Sequence, residues 1–501
     1  MRAEGNAPSL RRARPGPALI LALACLPVFI GALDLTVISA VLPTVIADLR
    51  IPIQSGLNDA SWAVTGYLLA YALSMTFMGR VSDFWGRRRV YLICLAVFAV
   101  GSWLVAASGG LPAQVAERLV RLFAGGRPDR SLMALYALIA GRVVQAFGAG
   151  ALVPITMALV GDLYPAKRRA IGLGVVGAVD TAGWVLGHLY GGIMVQFVHW
   201  TYLFWINLPI AVVSFGLIAW ALQDLPLPAH RRAIKGRPPL LNLRTFLDRR
   251  LAAAFSANLL VGFSLMVGLV SVPLFINLAG AESGAQGALA SGVMLSAFTI
   301  PMALAAVPGG WLASRYGDRL VTVVGVLLAL GGFALMTRWH PEYARQAAQF
   351  VAGLGEPGGL ARGALEGAGT MGAGLGLAGI GLGLTIAPIG STVINGVGDS
   401  ERGLASALVI VLRLIGMSLS VSTLTRYGLR RSTELSQELL AGVGLTEFGR
   451  IAEAGIQVAT RVTVEMAGIA VGVCALALIP SLLMRPKPGG PAPENVAPGL
   501  G

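Results

Sequence analysis

The chain has 501 residues, of which 55% are hydrophobic and 12% charged, and its mean hydropathy is +0.74. A soluble domain of this composition would expose large apolar patches, so the composition excludes an ordinary soluble protein. The net charge of +14 does not indicate nucleic-acid binding, because the basic residues fall mainly between apolar blocks, where they anchor membrane helices. The three cysteines lie inside apolar blocks and provide no disulfide framework or metal-binding spacing.

The apolar residues form blocks of about 20, the length that a helix needs to cross ~30 Å of hydrocarbon. The many glycines, 66 in all, suit membrane helices because small residues allow close packing. No convincing cleavage site follows the basic N-terminal segment, so the first block is predicted to be an uncleaved span. The sequence predicts twelve membrane helices, at 18–44, 60–79, 89–108, 132–160, 170–196, 201–222, 251–278, 288–313, 320–338, 370–394, 403–427 and 462–484.

Most Lys and Arg residues lie in alternate connecting segments, and the short turns on the other side are nearly free of them. Because cytoplasmic loops carry the excess of Lys and Arg, both termini are predicted to be cytoplasmic. The predicted organisation is an N-terminal tail (1–17), a six-helix bundle (18–222), a basic loop (223–250), a second six-helix bundle (251–484) and a C-terminal tail (485–501).

An internal repeat supports this division. The stretch "GRVSDFWGRRR" (79–89) follows the second predicted span of the first half, and "GWLASRYGDRL" (310–320) follows the second span of the other half. Two similar helical bundles joined by a loop are typical of secondary transporters. The predicted fold class is therefore an all-α polytopic membrane protein of two six-helix bundles related by pseudo-two-fold symmetry.

The charged corner at 79–90 resembles the G-x-x-x-D-x-x-G-R-R signature of the major facilitator superfamily. The matching residues are Gly79, Asp83, Gly86, Arg87 and Arg88. Asp83 ends a helix, where it can pair with Arg and meet the N-terminus of a neighbouring helix. Gly86 permits a tight turn. These residues are therefore predicted to form a gate that holds one conformation, with a plain basic anchor as the alternative.

Other stretches resemble the drug–proton antiporter branch of that superfamily, the multidrug efflux proteins. They are "LDLTVISAVLP" (33–43), "RVVQAFGAG" (142–150), "WTYLFWINLPIA" (200–211) and "ERGLASALVIVLRLIG" (401–416). The resemblance implies the major facilitator fold and proton-coupled antiport. Two features depart from that branch: twelve predicted spans stand in place of fourteen, and Gly187–His188 replaces the Gly-Pro of the fifth-span motif.

Ionisable residues inside membrane spans are costly unless paired or hydrated, so each one is a candidate site. Asp34 and Asp180 are the predicted proton carriers, because a carboxyl in a low-dielectric cavity can exchange protons near neutral pH. Arg142 is predicted to hold one of them ionised, and His188 is a further coupling candidate. On the fifth span, Asp180, Trp184 and His188 share one face. A neighbouring stripe of glycines on the same span, predicted for helix packing, consists of Gly183, Gly187 and Gly191.

The substrate-cavity candidates are Trp184, Gln145, Arg413 and Glu465.

The sequence contains no G-x-x-x-x-G-K-[ST] phosphate loop and no H-E-x-x-H or G-x-S-x-G motif. We therefore expect no enzymatic activity, no metal and no cofactor, and we expect a proton gradient to drive transport.

The first functional hypothesis is export of amphipathic, small or cationic molecules across the cytoplasmic membrane by alternating access. The second is a lipid or glycolipid exporter that uses three long outer loops, 109–131, 339–369 and 428–461. The third is a membrane receptor or enzyme on a transporter-like scaffold. The expected partners are the lipid bilayer, the substrate and protons, and the expected state is a monomer.

Overall fold

A computed structural model describes residues 15–50, 53–124, 129–223, 248–279, 285–343, 368–398, 401–441 and 447–484. Within these ranges the regular secondary structure is entirely helical. The helices, numbered in chain order, are α1 (Pro17–Asp48), α2 (Ile53–Trp85), α3 (Arg87–Ala106), α4 (Leu111–Ala124), α5 (Arg130–Gly150), α6 (Leu152–Leu163), α7 (Ala166–Phe197), α8 (Tyr202–Trp205), α9 (Asn207–Ala221), α10 (Arg249–Ala279), α11 (Ala285–Tyr316), α12 (Asp318–Met336), α13 (Ala368–Gly396), α14 (Arg402–Leu440) and α15 (Phe448–Leu483).

Every predicted span lies on these helices. The spans 132–160 and 201–222 each fall on two consecutive helices, α5 with α6 and α8 with α9. Ten segments of the described chain are long and apolar enough to cross a membrane, and they do not include α2 or α7. The chain is therefore a multi-pass membrane protein, and the count of twelve crossings stays a prediction.

The helices form two bundles, α1–α9 and α10–α15, that repeat the same packing. In the first bundle α1 packs on α7 and α9, α2 packs on α5, and α3 packs on α5 and α9. In the second bundle α10 packs on α14 and α15, α11 packs on α13, and α12 packs on α13 and α15. Each contact of the first set has its counterpart in the second, as internal duplication predicts.

A glycine turn marks the same corner of both bundles. Gly86 between α2 and α3 has φ of 90°, and Gly317 between α11 and α12 has φ of 92°. A side chain at either position would be strained, so glycine permits the sharp turn that joins the two helices. The end of the bundles at which Gly86 and Gly317 lie is called the motif end below, and the sequence predicts that it is cytoplasmic.

The connections at the opposite end differ from the prediction of three long loops. Part of the 109–131 loop forms the amphipathic helix α4. The prediction of a loop at 428–461 is wrong for most of its length, because α14 continues to Leu440 and α15 begins at Phe448. The two helices stay ordered there because Leu435, Ala454 and Val458 are buried. Most of the 339–369 loop and of the 223–250 loop lies outside the described residues.

Candidate transport site and gate

Asp34 lies at the centre of the first bundle, where α1, α5 and α9 meet. Its side chain is buried, and its Oδ1 accepts a hydrogen bond of 3.2 Å from the Asn207 amide. The Arg142 guanidinium lies 3.7 Å from Oδ2 and also donates to the Asp34 backbone carbonyl, at 3.2 Å. Of the two predicted carriers, the one that pairs with Arg142 is therefore Asp34.

Arg142 is completely buried, and several groups share its charge. It donates to Gln145 Oε1 at 2.8 Å, and Gln145 in turn donates to Ser102 Oγ at 2.9 Å. The guanidinium carbon lies 3.9 Å from the centre of the Tyr67 ring, a cation–π contact. Gln145, predicted for the substrate cavity, thus belongs to the Arg142 network.

This network also holds residues that the sequence argument did not single out. Asn207 lies in the "WTYLFWINLPIA" stretch, which resembles the antiporter branch as a whole and does not by itself indicate a role for the amide. Ser102 and Tyr67 carry no signal of their own, because uncharged polar residues are common in membrane helices. An amide inside an otherwise apolar span was the available signal for Asn207.

Asp180 lies on α7, facing the second bundle. It is buried, and its Oδ1 has no hydrogen-bond partner among the described residues. The charge of Arg413 on α14 attracts this carboxylate, and the Tyr71 hydroxyl of α2 is also buried with no partner in the described part of the chain. Arg413 donates to Asn258 Oδ1 at 3.4 Å. Asp180 and Arg413 thus attract each other across the two bundles at a distance longer than an ion pair, whereas Asp34 and Arg142 lie 3.7 Å apart inside the first bundle.

The remaining members of the α7 stripes occupy different surroundings. Gly183 packs against α1, since a Cβ there would lie 2.6 Å from the Phe29 carbonyl oxygen, and Gly187 faces the next turn of α1. Gly191 is buried. Close approach of α1 and α7 therefore requires glycine at positions 183 and 187.

Trp184 sits beside this contact and is half-buried. Its backbone carbonyl accepts a hydrogen bond of 2.9 Å from Thr36, while its indole N–H is buried and has no partner among the residues that the structure describes. The His188 side chain lies outside the described residues. Trp184 is therefore the described residue of the stripe that offers a free donor beside Asp180.

The charged corner holds the two bundles together at the motif end. Asp83 Oδ1 accepts a hydrogen bond of 2.9 Å from the Gly403 N–H, and Oδ2 accepts one of 3.3 Å from the Leu404 N–H. These are the first amides of α14, so the carboxylate interacts with the positive end of that helix dipole. Arg87 forms an ion pair with Asp83. Gly79 packs against Gly403, because a Cβ at position 79 would lie 2.7 Å from the Gly403 carbonyl oxygen.

Asp162, at the end of α6, extends this network and was missed by the sequence argument. Its Oδ2 accepts a hydrogen bond from Arg87 Nε at 3.1 Å, and its Oδ1 accepts one from Arg402 at 3.0 Å. Arg88 donates twice to the Ala219 carbonyl, at 3.2 and 3.0 Å, and so closes the last turn of α9. An acid at the end of an apolar span was the available signal for Asp162. The gate role of these residues stays a prediction, and the contacts needed for it are present.

Glu465 occupies another part of the molecule. Its carboxylate accepts hydrogen bonds from Tyr427 Oη at 2.8 Å and from Arg431 Nε at 3.0 Å. These contacts join α15 to α14 at a level roughly 21 to 27 Å along α14 from Arg413. Glu465 therefore fastens the helical hairpin of α14 and α15, and its carboxylate is occupied there.

Comparisons with known proteins agree with this architecture. A family model described as the Major Facilitator Superfamily matches residues 24–421. A triacylglyceride transporter of Mycolicibacterium smegmatis is 32% identical over 470 residues, which cover 81% of this chain and 75% of that protein. A triacylglyceride transporter of Mycobacterium tuberculosis is 30% identical over 489 residues, 86% of each chain. The crystal structure of the human organic anion transporter MFSD10 (TETRAN) superposes with a TM-score of 0.58 at 17% identity, over 94% of this chain and all of that one.

Proposed function

The chain belongs to the Major Facilitator Superfamily of transporters, and from that premise we propose that it exports a lipid, a neutral glycerolipid such as a triacylglyceride, by proton-driven alternating access. The names of the mycobacterial relatives support the lipid class, and the resemblance of 33–43 and 142–150 to proton antiporters supports the driving ion. The observation that carries the proposal is the hairpin of α14 and α15.

This hairpin is far longer than a bilayer requires. With 39 and 36 residues, α14 and α15 span roughly 58 and 54 Å, against about 30 Å of hydrocarbon. Both project at the end opposite the motif end, which is the outer side in the predicted orientation. A product soluble in water needs no such surface, whereas a lipid leaving the membrane needs a path that shields it from water.

The hairpin is built to stay rigid. Tyr427 and Arg431 bind Glu465 between the two helices, and Leu435 beyond them is fully buried. The outward face carries charged side chains, including Arg430 and Glu434, which form an ion pair of 2.9 Å. A buried seam with a charged exterior gives an extended helix pair its own stability outside the lipid.

The central charges favour an uncharged substrate. Asp34 lies 3.7 Å from Arg142 inside the first bundle, and Asp180 is attracted at longer range by Arg413 of the second bundle. The positive charges of these two arginines therefore balance the two carboxylates, and no net negative charge remains to attract a cationic substrate. A neutral glycerolipid needs no counter-charge.

The same pairs provide a route for coupling. A proton on Asp180 removes its attraction for Arg413, and this attraction acts between the bundles. A proton on Asp34 weakens the pair with Arg142 inside the first bundle. Proton binding would thus loosen the contact between the bundles and let them rock, as alternating access requires.

Multidrug export is the second candidate. Trp184 favours it, because a half-buried indole beside Asp180 suits stacking on an aromatic or cationic compound. The two candidates differ in their need for the hairpin: a drug released into water has no use for it.

The deciding experiment measures transfer of labelled triacylglyceride from proteoliposomes to acceptor vesicles under a proton gradient. Asp180→Asn should lower transfer by about tenfold or more, because the variant cannot exchange the proton. Glu465→Gln should lower lipid transfer by about threefold to tenfold by weakening the Arg431 contact. Glu342→Gln is the matched control, since Glu342 is exposed and has no hydrogen bond or ion pair in the described part of the chain.

Efflux of ethidium and Hoechst from cells lacking their own exporters tests the alternative. Protonophore-sensitive dye efflux that is unaffected by Glu465→Gln, together with absent lipid transfer, would contradict the lipid proposal and establish drug export.

A further inference from the structure

A cavity of about 340 Å³ lies between α12 and α15 at the end opposite the motif end. It is separate from the central site, because the residues that line it come from the segment just after α12 and from the third to fifth turns of α15. The lining residues used below are Thr337, Trp339, Gln457, Thr460 and Arg461.

Trp339 lines this cavity and carries a buried donor. The residue is only 4% exposed, and its indole N–H has no hydrogen-bond partner in the described structure. The ring is held in place by Phe275, whose centroid lies 5.1 Å away. A buried N–H without an acceptor is unfavourable, so a ligand that supplies an acceptor would be stabilised here.

Two more donors line the cavity. Arg461 and Gln457 lie one turn apart on the same face of α15, and neither has a hydrogen bond or ion pair in the described part of the chain. The Thr337 and Thr460 hydroxyls donate to carbonyls of their own helices, at 2.7 and 2.8 Å, and so remain acceptors. No carboxylate is among the described residues that line the cavity. The free polar groups therefore match an anion with several oxygen atoms.

The position of the cavity identifies the source of that anion. It lies just beyond Met336, where α12 ends, and Arg461 immediately precedes the predicted span that begins at 462. This is the level at which lipid headgroups meet the hydrocarbon. On α12, Leu327 and Leu335 are exposed by 49% and 41%, so this helix offers apolar surface on which acyl chains would pack.

We propose that this cavity binds the phosphate group of an anionic membrane phospholipid, held by the Arg461 guanidinium, the Trp339 indole N–H and the Gln457 amide. The bound lipid lies on the outside of the second bundle, where it fastens α12 to α15 at the base of the hairpin. This binding does not depend on which substrate the protein transports.

The test measures phospholipid retention by native mass spectrometry on the purified, delipidated full-length protein, with phosphatidylglycerol as the probe. Wild type should retain one phosphatidylglycerol molecule. Arg461→Gln should bind this lipid about tenfold or more weakly, and the affinity of Arg461→Lys should lie between the two. Trp339→Phe keeps an aromatic ring against Phe275 but removes the N–H, and should weaken binding by about threefold to tenfold. Arg118→Gln is the matched control and should bind as wild type does, because Arg118 of α4 is exposed and has no hydrogen bond or ion pair within the described ranges.

Two comparison ligands separate the chemistry from its source. Diacylglycerol has the acyl chains without the phosphate and should not compete, and millimolar inorganic phosphate has the anion without the chains and should not displace the lipid. Equal retention by wild type and Arg461→Gln would overturn the proposal, provided that melting curves in detergent show both to be folded. Competition by diacylglycerol would refute the role of phosphate, and displacement by inorganic phosphate would refute the lipid source.

Discussion

The two corners of the motif end use the same backbone with different charges. In the first corner, Arg402 at the start of α14 donates to Asp162 at 3.0 Å. In the second, Arg169 near the start of α7 donates to Asn395 at 2.8 Å. Both contacts run from a bundle's fifth membrane helix to the fourth membrane helix of the other bundle, but the acceptor is a carboxylate in one corner and a neutral amide in the other.

The helix ends differ in the same way. Asp83 accepts hydrogen bonds from the first amides of α14, whereas Ser314, its counterpart in the repeat, donates to the Trp311 carbonyl of its own helix at 2.7 Å. Asp318 stands where the first repeat has Arg87, and it accepts a hydrogen bond of 3.2 Å from Thr392 within its own bundle. The first corner thus adds ionic contacts between the bundles to close helix packing, whereas the corresponding contact of the second corner ends on the neutral amide of Asn395. Duplication preserved the geometry, and the side chains then specialised.

Asp83→Asn should have the largest effect. The oxygen of the new amide can still accept one hydrogen bond, but its NH₂ group would meet the backbone N–H of α14, and two donors repel each other. Arg87 also loses its buried ionic partner. We expect the closed arrangement to be destabilised by about 3 kcal/mol and transport to fall by at least about tenfold. Hydrogen exchange should rise in residues 79–90 and 401–407 while residues 310–320 stay unchanged. Equal exchange in both corners would contradict the assignment of the charged contacts to the first corner.

Asp162→Asn should have a smaller effect of the same sign. It breaks the ion pairs with Arg87 and Arg402, but Asp162 is 27% exposed, so solvent screens part of the interaction. We expect a loss of about 1 kcal/mol in thermal unfolding and a several-fold change in transport rate. Glu342→Gln, with the same change from acid to amide, should leave both quantities unchanged. A loss as large as that of Asp83→Asn would show that Asp162, not Asp83, carries the gate.

Asn395→Asp makes the second corner resemble the first. The new carboxylate would pair with Arg169, although it loses the amide hydrogen bond of 3.1 Å to Ser391. We expect a net stabilisation of the closed end below about 1 kcal/mol, seen as a higher melting temperature and a slower transport cycle. Added salt should reduce the gain. Faster transport than wild type would indicate that the neutral corner already limits the cycle.

Ser314→Asp should have the smallest effect. The substitution places an acid at the position that corresponds to Asp83 of the first repeat. Ser314 is exposed, and its hydroxyl donates to the Trp311 carbonyl of its own helix. Transport should stay within about twofold of wild type, because one exposed charge contributes little. A large change would show that position 314 already contacts α7 during the transport cycle.

Much of the fold followed from local features of the sequence. The apolar blocks located the helices, and the glycines at 86 and 317 located both sharp turns, because each is a property of a short stretch of chain. Asp34 and Asp180 were found for the same reason, since a carboxyl in an apolar block is conspicuous. The extension of α14 and α15 beyond the predicted spans could not be recognised from hydropathy, because the exposed face of its outer half is charged. A helix with a charged face outside the membrane has the same low hydropathy as a loop.

The sequence by itself determined that this is a helical membrane protein with two repeats, a charged corner and a few costly charges inside its spans. Only the tertiary structure decided which charges act on each other: Asp34 with Arg142, 108 residues away, and at longer range Asp180 with Arg413 of the other bundle. Such pairs depend on how each helix is rotated and how deep it lies against its neighbours. Rotation and depth are set by packing of whole helices, such as the fit of Gly183 on α1, and no short stretch of sequence specifies them.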